Sequence, residues 1–244
     1  MKQASLLEIA GFPPEGQVFS VTSLDLPVLS GDHPWAQAHL SAIADNWQHE
    51  IARNPALFDG QMVFQHQLAF ENGHIAGRAH MIPFSAFLHW RKEARGSGGL
   101  HLFGLPLVIS SDGALIAVRM AETTANPGRV YCAAGSIDAD DVVDGRCDID
   151  LNMRREVQEE TGLDLADAVV DPNYFATHSL NTVTVFRIFR FPMTAERIVE
   201  EIARHIAADP EPEITNAVAI READPSAHNY AFFMLPILKW LFDK

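Results

Sequence analysis

Apolar and polar positions change period several times along this chain, and each change marks an element. Over residues 34–53, apolar Trp35, Ala38, Ala42, Ile43, Trp47 and Ile51 recur at about helical spacing. Pro34 suits a first turn and Asn54-Pro55 stops the run, which predicts one helix. Residues 61–68 (QMVFQHQL) alternate as a half-buried strand does, and the turn Glu71-Asn-Gly73 leads to a second strand over 74–81, so a hairpin is expected. A short amphipathic helix follows over 84–95, with Arg91, Lys92 and Arg95 on its exposed side. The run Ala94-Arg-Gly-Ser-Gly-Gly99 then interrupts the pattern and divides the chain into an α+β region, 1–95, and a second region, 100–244.

Past this joint, strands are predicted at 102–110 and 114–120, joined through Ser111-Asp-Gly113, then at 130–133, 182–191 and 217–221. Helices are predicted at 150–161, with an Asp as N-cap and Gly162 as terminator, at 194–208 and at 229–242. Strands and helices mixed in this order indicate an α/β sandwich. The chain has 244 residues, 48% of them hydrophobic and 20% charged, enough for one large domain, or a compact one with an extension, around a real core. Two cysteines, Cys132 and Cys147, point to reduced thiols and a cytoplasmic setting. The apolar patch Leu6, Leu7 and Ile9 is too brief for a signal peptide, and no window reaches the roughly 20 apolar residues of a membrane span. Eighteen Lys and Arg against 32 Asp and Glu leave a net charge of −14, which disfavours nucleic acid and anionic membranes as partners. An anionic substrate would need local arginines or a divalent metal.

The segment richest in chemistry is Arg155-Glu-Val-Gln-Glu-Glu-Thr-Gly-Leu163. On a helix, Glu156, Glu159 and Glu160 stand at i, i+3 and i+4 and share a face, while Met153 and Val157 point elsewhere. Three carboxylates so placed repel one another unless a hard cation, which takes oxygen ligands, sits between them. Arg155, one turn before Glu159, is expected to hold it in one rotamer.

Arg-Glu-apolar-x-Glu-Glu-x-Gly-apolar is the second half of the Nudix box, and in this segment the chain resembles a Nudix hydrolase. The resemblance implies a Nudix-type α/β/α sandwich with a mixed sheet plus the N-terminal α+β extension. It also implies Mg²⁺ or Mn²⁺ as cofactor and hydrolysis of a nucleoside diphosphate linked to another group. Gly135 corresponds to the box glycine, but nineteen residues precede Arg155 where the family has thirteen, so six are inserted. The run 138–148 is expected to be a surface loop. Cys147 falls where the family has an early Glu, and Asp148 or Asp150 is available to replace it. By the same correspondence the carbonyl of Ala134 joins Glu156, Glu159 and Glu160 as a metal ligand. Glu213 or Glu211 is the candidate for a further carboxylate from outside the box.

Arg91, Arg119 or Arg129 would clamp phosphate oxygens. The segment Arg53-Asn-Pro-Ala-Leu-Phe-Asp-Gly60 with the aromatic helix after it is similar to the region preceding the catalytic domain in nucleoside-diphosphate-sugar pyrophosphatases. ADP-ribose, a dinucleoside polyphosphate and coenzyme A are the other substrates in view, and a homodimer is the assembly considered. A Nudix-like nucleotide-binding regulator without turnover is the reading from another class. His74, His80, His89 and His101 lack the tight spacing of metal ligands and are expected at the surface or hydrogen-bonded in the core.

Overall fold

The structure, a computed structural model, describes residues 9–94 and 98–243. Leu6, Leu7 and residues 95–97 of the Gly/Ser joint, Arg95 among them, lie outside the described residues. Before the joint come strands β1 (Ile9–Ala10), β2 (Phe19–Val21) and β3 (Ser23–Asp25), then helices α1 (Pro34–Ala38) and α2 (Leu40–Arg53). Strands β4 (Gln61–Glu71) and β5 (His74–Pro83) follow, with α3 (Phe84–His89) continuing into a π-helical turn, Trp90–Ala94. After it come β6 (His101–Ile109), β7 (Leu115–Met120), β8 (Val130–Tyr131), β9 (Val142–Val143), β10 (Arg146–Cys147) and helix α4 (Ile149–Thr161). The chain closes with β11 (Val169–Val170), β12 (Tyr174–Ser179), β13 (Thr182–Arg190), α5 (Ala195–Ala208), β14 (Ile214–Ile220) and α6 (Met234–Phe242).

The large sheet has the order β14-β7-β6-β13-β12-β2, with β8 beside β7 and β11 beside β13. It is mixed, because β6 and β13 run parallel over nine rungs while β7, β12 and β14 pair antiparallel. An apolar run as continuous as β6 suits a strand covered on both faces. A Cβ at Gly104 would touch Met153, Asn152 and Ile149 of α4. The neighbouring position faces the other way: Leu105 pairs with Phe186, whose ring lies 5.4 Å from Trp240 of α6. Helices therefore cover both faces, and the expected α/β/α layering with a mixed sheet is present.

The residues before the joint form a second sheet, β1-β4-β5-β3, and pack Trp35, Ile43, Met62, Phe64, Phe87 and Trp90 into a core of their own. They are also woven into the larger sheet. β2 pairs with β12, Val63 N donates to Ile137 O at 2.7 Å, and Gln65 and Leu100 exchange both backbone hydrogen bonds.

Several expectations need correction. The helix over 34–53 is two helices, because the His39 ring nitrogen binds Trp35 O (2.7 Å), the acceptor a continuous helix would give to the His39 amide. The amide turns to Ala36 O instead. The hairpin over 102–110 and 114–120 pairs only at Val108–Ile116 and Ile109–Leu115, while the opposite edge of β6 pairs with β13 along its whole length. Helix 229–242 starts only at Met234, because Val130 N and Ala231 N form strand-like bonds with Asn229 O and Val130 O. Strands β1, β2, β3, β11 and β12 carry no clear alternation and owe their conformation to their partners. No described helix is long and apolar enough to cross a membrane, and both cysteines are free.

His74 and His80 are hydrogen-bonded, as expected, to Ser23 Oγ and Gly31 O, while His89 stacks on Trp35 and His101 on Phe103. His33, unremarked in the sequence, carries a stability consequence. Its Nδ1 accepts from Trp35 N (3.2 Å) and caps α1 from a buried position, with the rings of His66 and His80 within 6 Å. Burial lowers its pKa to about 4, opposed by the Gln65 backbone and reinforced by His66 and His80. The native state thus keeps His33 neutral where the unfolded chain, near 6.5, takes up a proton. The stability this represents is present above 6.5 and is lost as pH falls toward 4. Urea unfolding should show a loss on the order of 2 kcal/mol from this group between pH 7 and pH 5, absent in His33→Asn. Equal pH slopes in the two proteins would contradict it.

Candidate active site

Helix α4 carries the site because both its ends and one face are fixed. Asp148 caps it by accepting from Leu151 N (3.0 Å), and Gly162, at φ +72°, ends it. A side chain at Gly162 would collide with His205 of α5, whose Nε2 meets Glu159 O at 2.9 Å. Met153 and Val157 are wholly buried. Their burial turns Glu156, Glu159 and Glu160 toward a cleft.

The three glutamates do not share one environment. Glu156 and Glu160 are both buried, each 8% exposed, whereas the Glu159 side chain is 59% exposed. Burial pushes Glu156 up to about 8 against the pull of Arg155, with Glu159, Asp141 and Glu213 adding to the rise. Burial also holds Glu160 well above the carboxylate range, with Glu156 and Glu213 contributing. One buried oxygen of Glu160, Oε2, has no hydrogen-bond partner, and Ala134 N–H serves the carboxylate otherwise. Gly135 leaves the room Glu156 occupies: a Cβ there would lie 2.4 Å from both Glu156 oxygens.

Arg155 lies against Glu159 as expected, Nη1 to Oε2 at 2.9 Å, and also reaches Glu156 Oε1 at 2.9 Å. Its other edge grips Asp141, Nε to Oδ1 at 3.1 Å and Nη2 to Oδ2 at 2.7 Å. Asp141 is therefore the carboxylate that grips this arginine along an edge, with Asp138 Oδ2 a further 3.3 Å from Nη2. Neither Asp148 nor Asp150 does so, because Asp148 caps α4 and Asp150 pairs with Arg187 at 2.7 Å. The run 138–148 is mostly exposed but not wholly a surface loop, since Asp141 is fully buried and β9 and β10 form a hairpin within it.

Glu213, just before β14, bears on both Glu156 and Glu160, and its own pKa is raised by burial and then by Glu159 and Asp209. Glu211 also lines the cleft. These donors suit a hard divalent cation: Glu160 is buried with one bare oxygen, and the arginine beside buried Glu156 is shared with Asp138, Asp141 and Glu159, which leaves negative charge in excess. Among the described residues no three Asp, Glu, His or Cys side chains already converge on one point. An ion here would complete its shell with backbone oxygen and water, as Mg²⁺ commonly does.

The cleft above these residues has a volume of about 1570 Å³. Its far wall comes from the N-terminal region: Phe58, Gly60, Phe84, Phe87 and Arg91 line it together with Tyr131, Phe233, Glu156, Glu159 and Glu160.

No family model matches this chain, and no curated protein matches it. Among solved structures it is similar to the MutT protein of Methanosarcina mazei Go1, at 14% identity over 58% of this chain and 92% of that one, with a TM-score of 0.36. It is also similar to DR0079 from Deinococcus radiodurans (12% identity, 75% of this chain, 99% of that one, TM-score 0.42). A third is a Nudix hydrolase from M. smegmatis, RenU (12%, 58% and 82%, TM-score 0.37). Identities this low leave the chemistry to be read from the residues themselves.

Of the three arginines considered for phosphate, Arg91 and Arg129 line the cleft and Arg119 does not. Arg119 turns toward Gly128 O at 3.4 Å. Arg91 is half-buried rather than on an exposed helix side, because its guanidinium donates to Asn126 Oδ1 and Ala125 O (2.9 Å each). Arg129 donates to Asn229 Oδ1 (2.8 Å) and Tyr230 O. Sequence reasoning missed Asp141, which nothing distinguishes from Asp138 and Asp140 beside it. It also missed Tyr131, whose hydroxyl accepts from Asn126 and which senses the Glu160 charge.

Proposed function

We propose that this protein hydrolyses the pyrophosphate bond of a nucleoside diphosphate linked to another moiety, with Mg²⁺ or Mn²⁺ held by Glu156, Glu159, Glu160 and the carbonyl of Ala134. The observation carrying this reading is a pair of buried carboxylates, Glu156 and Glu160, whose charge the single adjacent Arg155 does not balance, in the order Arg-Glu-x-x-Glu-Glu-x-Gly, at the floor of a cleft large enough for a two-part substrate. Such an ion, when bound, supplies neutralisation of the diphosphate and a lowered pKa for water. Glu213, whose carboxyl pKa is raised by burial, would serve as the proton acceptor for an attacking water. Arg91 and Arg129 orient phosphate oxygens from the cleft walls. Phe58, Phe84 and Phe87 give apolar surface to the group beyond the diphosphate. A nucleoside-diphosphate sugar heads the substrates, since residues 53–60 and the aromatic helix, the segments similar to sugar-nucleotide pyrophosphatases, both contribute to that wall. A cytoplasmic enzyme, acting alone or as a homodimer and binding neither nucleic acid nor membrane, completes the reading.

The test is a panel of UDP- and GDP-sugars, ADP-ribose, dinucleoside polyphosphates, coenzyme A and nucleoside triphosphates, assayed with Mg²⁺ or Mn²⁺ for phosphate-ester products. A nucleoside monophosphate and a phosphorylated partner are expected, with loss of turnover on chelation. Nucleotide binding unaffected by chelator, with no hydrolysis of any member, would replace the enzyme by a nucleotide-binding regulator.

A further inference from the structure

The loop that lengthens the box contains one residue unlike its neighbours. Asp141 is wholly buried, while Ala139, Asp140, Val143, Asp144 and Gly145 are exposed. Both of its carboxylate oxygens accept hydrogen bonds. Oδ1 accepts from Arg155 Nε, and Oδ2 accepts from Arg155 Nη2, from Asn152 Nδ2 at 2.9 Å and from Asp138 N at 3.1 Å. The chain between Asp141 and α4 is closed on itself by Asp148 N donating to Asp141 O at 2.8 Å.

The intervening hairpin is tied to the N-terminal region. Cys147 N donates to Leu26 O (3.0 Å), Val28 N donates to Gly145 O (2.9 Å), and Arg146 pairs with Asp25. The hairpin that follows Asp141 is thus hydrogen-bonded to residues 25–28 of the N-terminal region.

A guanidinium is a rigid planar fork. With Nε and one Nη2 proton committed to Asp141, the orientation of the plane is set, and the remaining donors meet Glu159 through Nη1 and Glu156 through Nη2. We propose that Asp141 is a positioning residue: by gripping one edge of Arg155 it holds Glu156 and Glu159 in the rotamers that bind a divalent cation. The inserted hairpin makes residues 25–28 part of that support. This inference rests on the metal-site reading above.

Asp141→Asn keeps the shape and removes the charge. Titrating Mn²⁺ against the folded variant, with free Mn²⁺ read by electron paramagnetic resonance, should show affinity weakened by roughly 10- to 100-fold. The kcat should fall by a similar factor while KM stays near that of the parent. A lowered melting temperature with unchanged Mn²⁺ affinity per folded molecule would overturn the proposal and leave Asp141 a purely structural anion.

A second comparison covers a variant that fails to fold. Arg155→Gln is measured with and without Asp141→Asn, a pair that replaces a buried carboxylate and its half-buried guanidinium by two neutral amides. If Asp141 acts through Arg155, the added change costs no further Mn²⁺ affinity beyond about twofold; a full additional loss overturns it. A parent that neither binds Mn²⁺ nor hydrolyses any substrate overturns the site reading and this inference together. An active parent matched by Asp141→Asn overturns this inference alone.

Discussion

Glu160→Gln is expected to remove hydrolysis almost entirely, lowering kcat by about 10²- to 10³-fold or more, the scale for losing one preorganised charge in a buried site, without lowering the stability of the metal-free protein. Glu160 is as buried as Glu156, with a bare buried oxygen and with Glu156 and Glu213 acting on it. A carboxylate so placed costs folding free energy unless a cation is bound, and an amide of the same shape avoids most of that cost. The metal-free melting temperature of the variant should therefore equal or exceed that of the parent by a few degrees. On addition of Mg²⁺ or Mn²⁺ the parent should gain stability by mass action and the variant much less. Calorimetry with and without metal, beside a turnover assay, checks both halves. A variant with wild-type turnover would remove Glu160 from the site, and one that melts well below the parent without metal would mean its carboxylate is compensated in a way the structure does not contain.

Gly135→Ala should be nearly as damaging, for a steric reason. The new methyl would stand 2.4 Å from both oxygens of Glu156, far inside van der Waals contact, and Gly135 is not among the glycines with positive φ. The backbone therefore accepts alanine and the strain falls on Glu156, which has to leave Arg155 or swing out of its pocket. A fall in kcat of roughly 10²-fold, with a stability change within about 1–3 kcal/mol, is expected. Gly113→Ala is the matched control. At φ +84° with nothing near its Cβ direction, it should cost about 1 kcal/mol of stability through backbone strain and leave turnover unchanged. Steady-state kinetics and urea unfolding of the two variants separate the effects; full activity in Gly135→Ala would show that Glu156 need not stay where it is.

The parts of this molecule legible from sequence are those whose causes are local. The cap at Asp148, the left-handed stop at Gly162, the buried stripe of Met153 and Val157, and the spacing that sets Glu156, Glu159 and Glu160 beside Arg155 are all consequences of helix geometry within fifteen residues. Tertiary structure decided what local patterns cannot carry. It gave β6 a parallel neighbour eighty residues away, split a uniform apolar period at His39 through one ring nitrogen, and buried two of three adjacent glutamates while leaving Glu159 outside. It also chose Asp141 from a run of equivalent aspartates and drew residues 25–28 to the hairpin behind it. These choices turn on desolvation and on which donors lie opposite, and both depend on chain segments far apart in sequence.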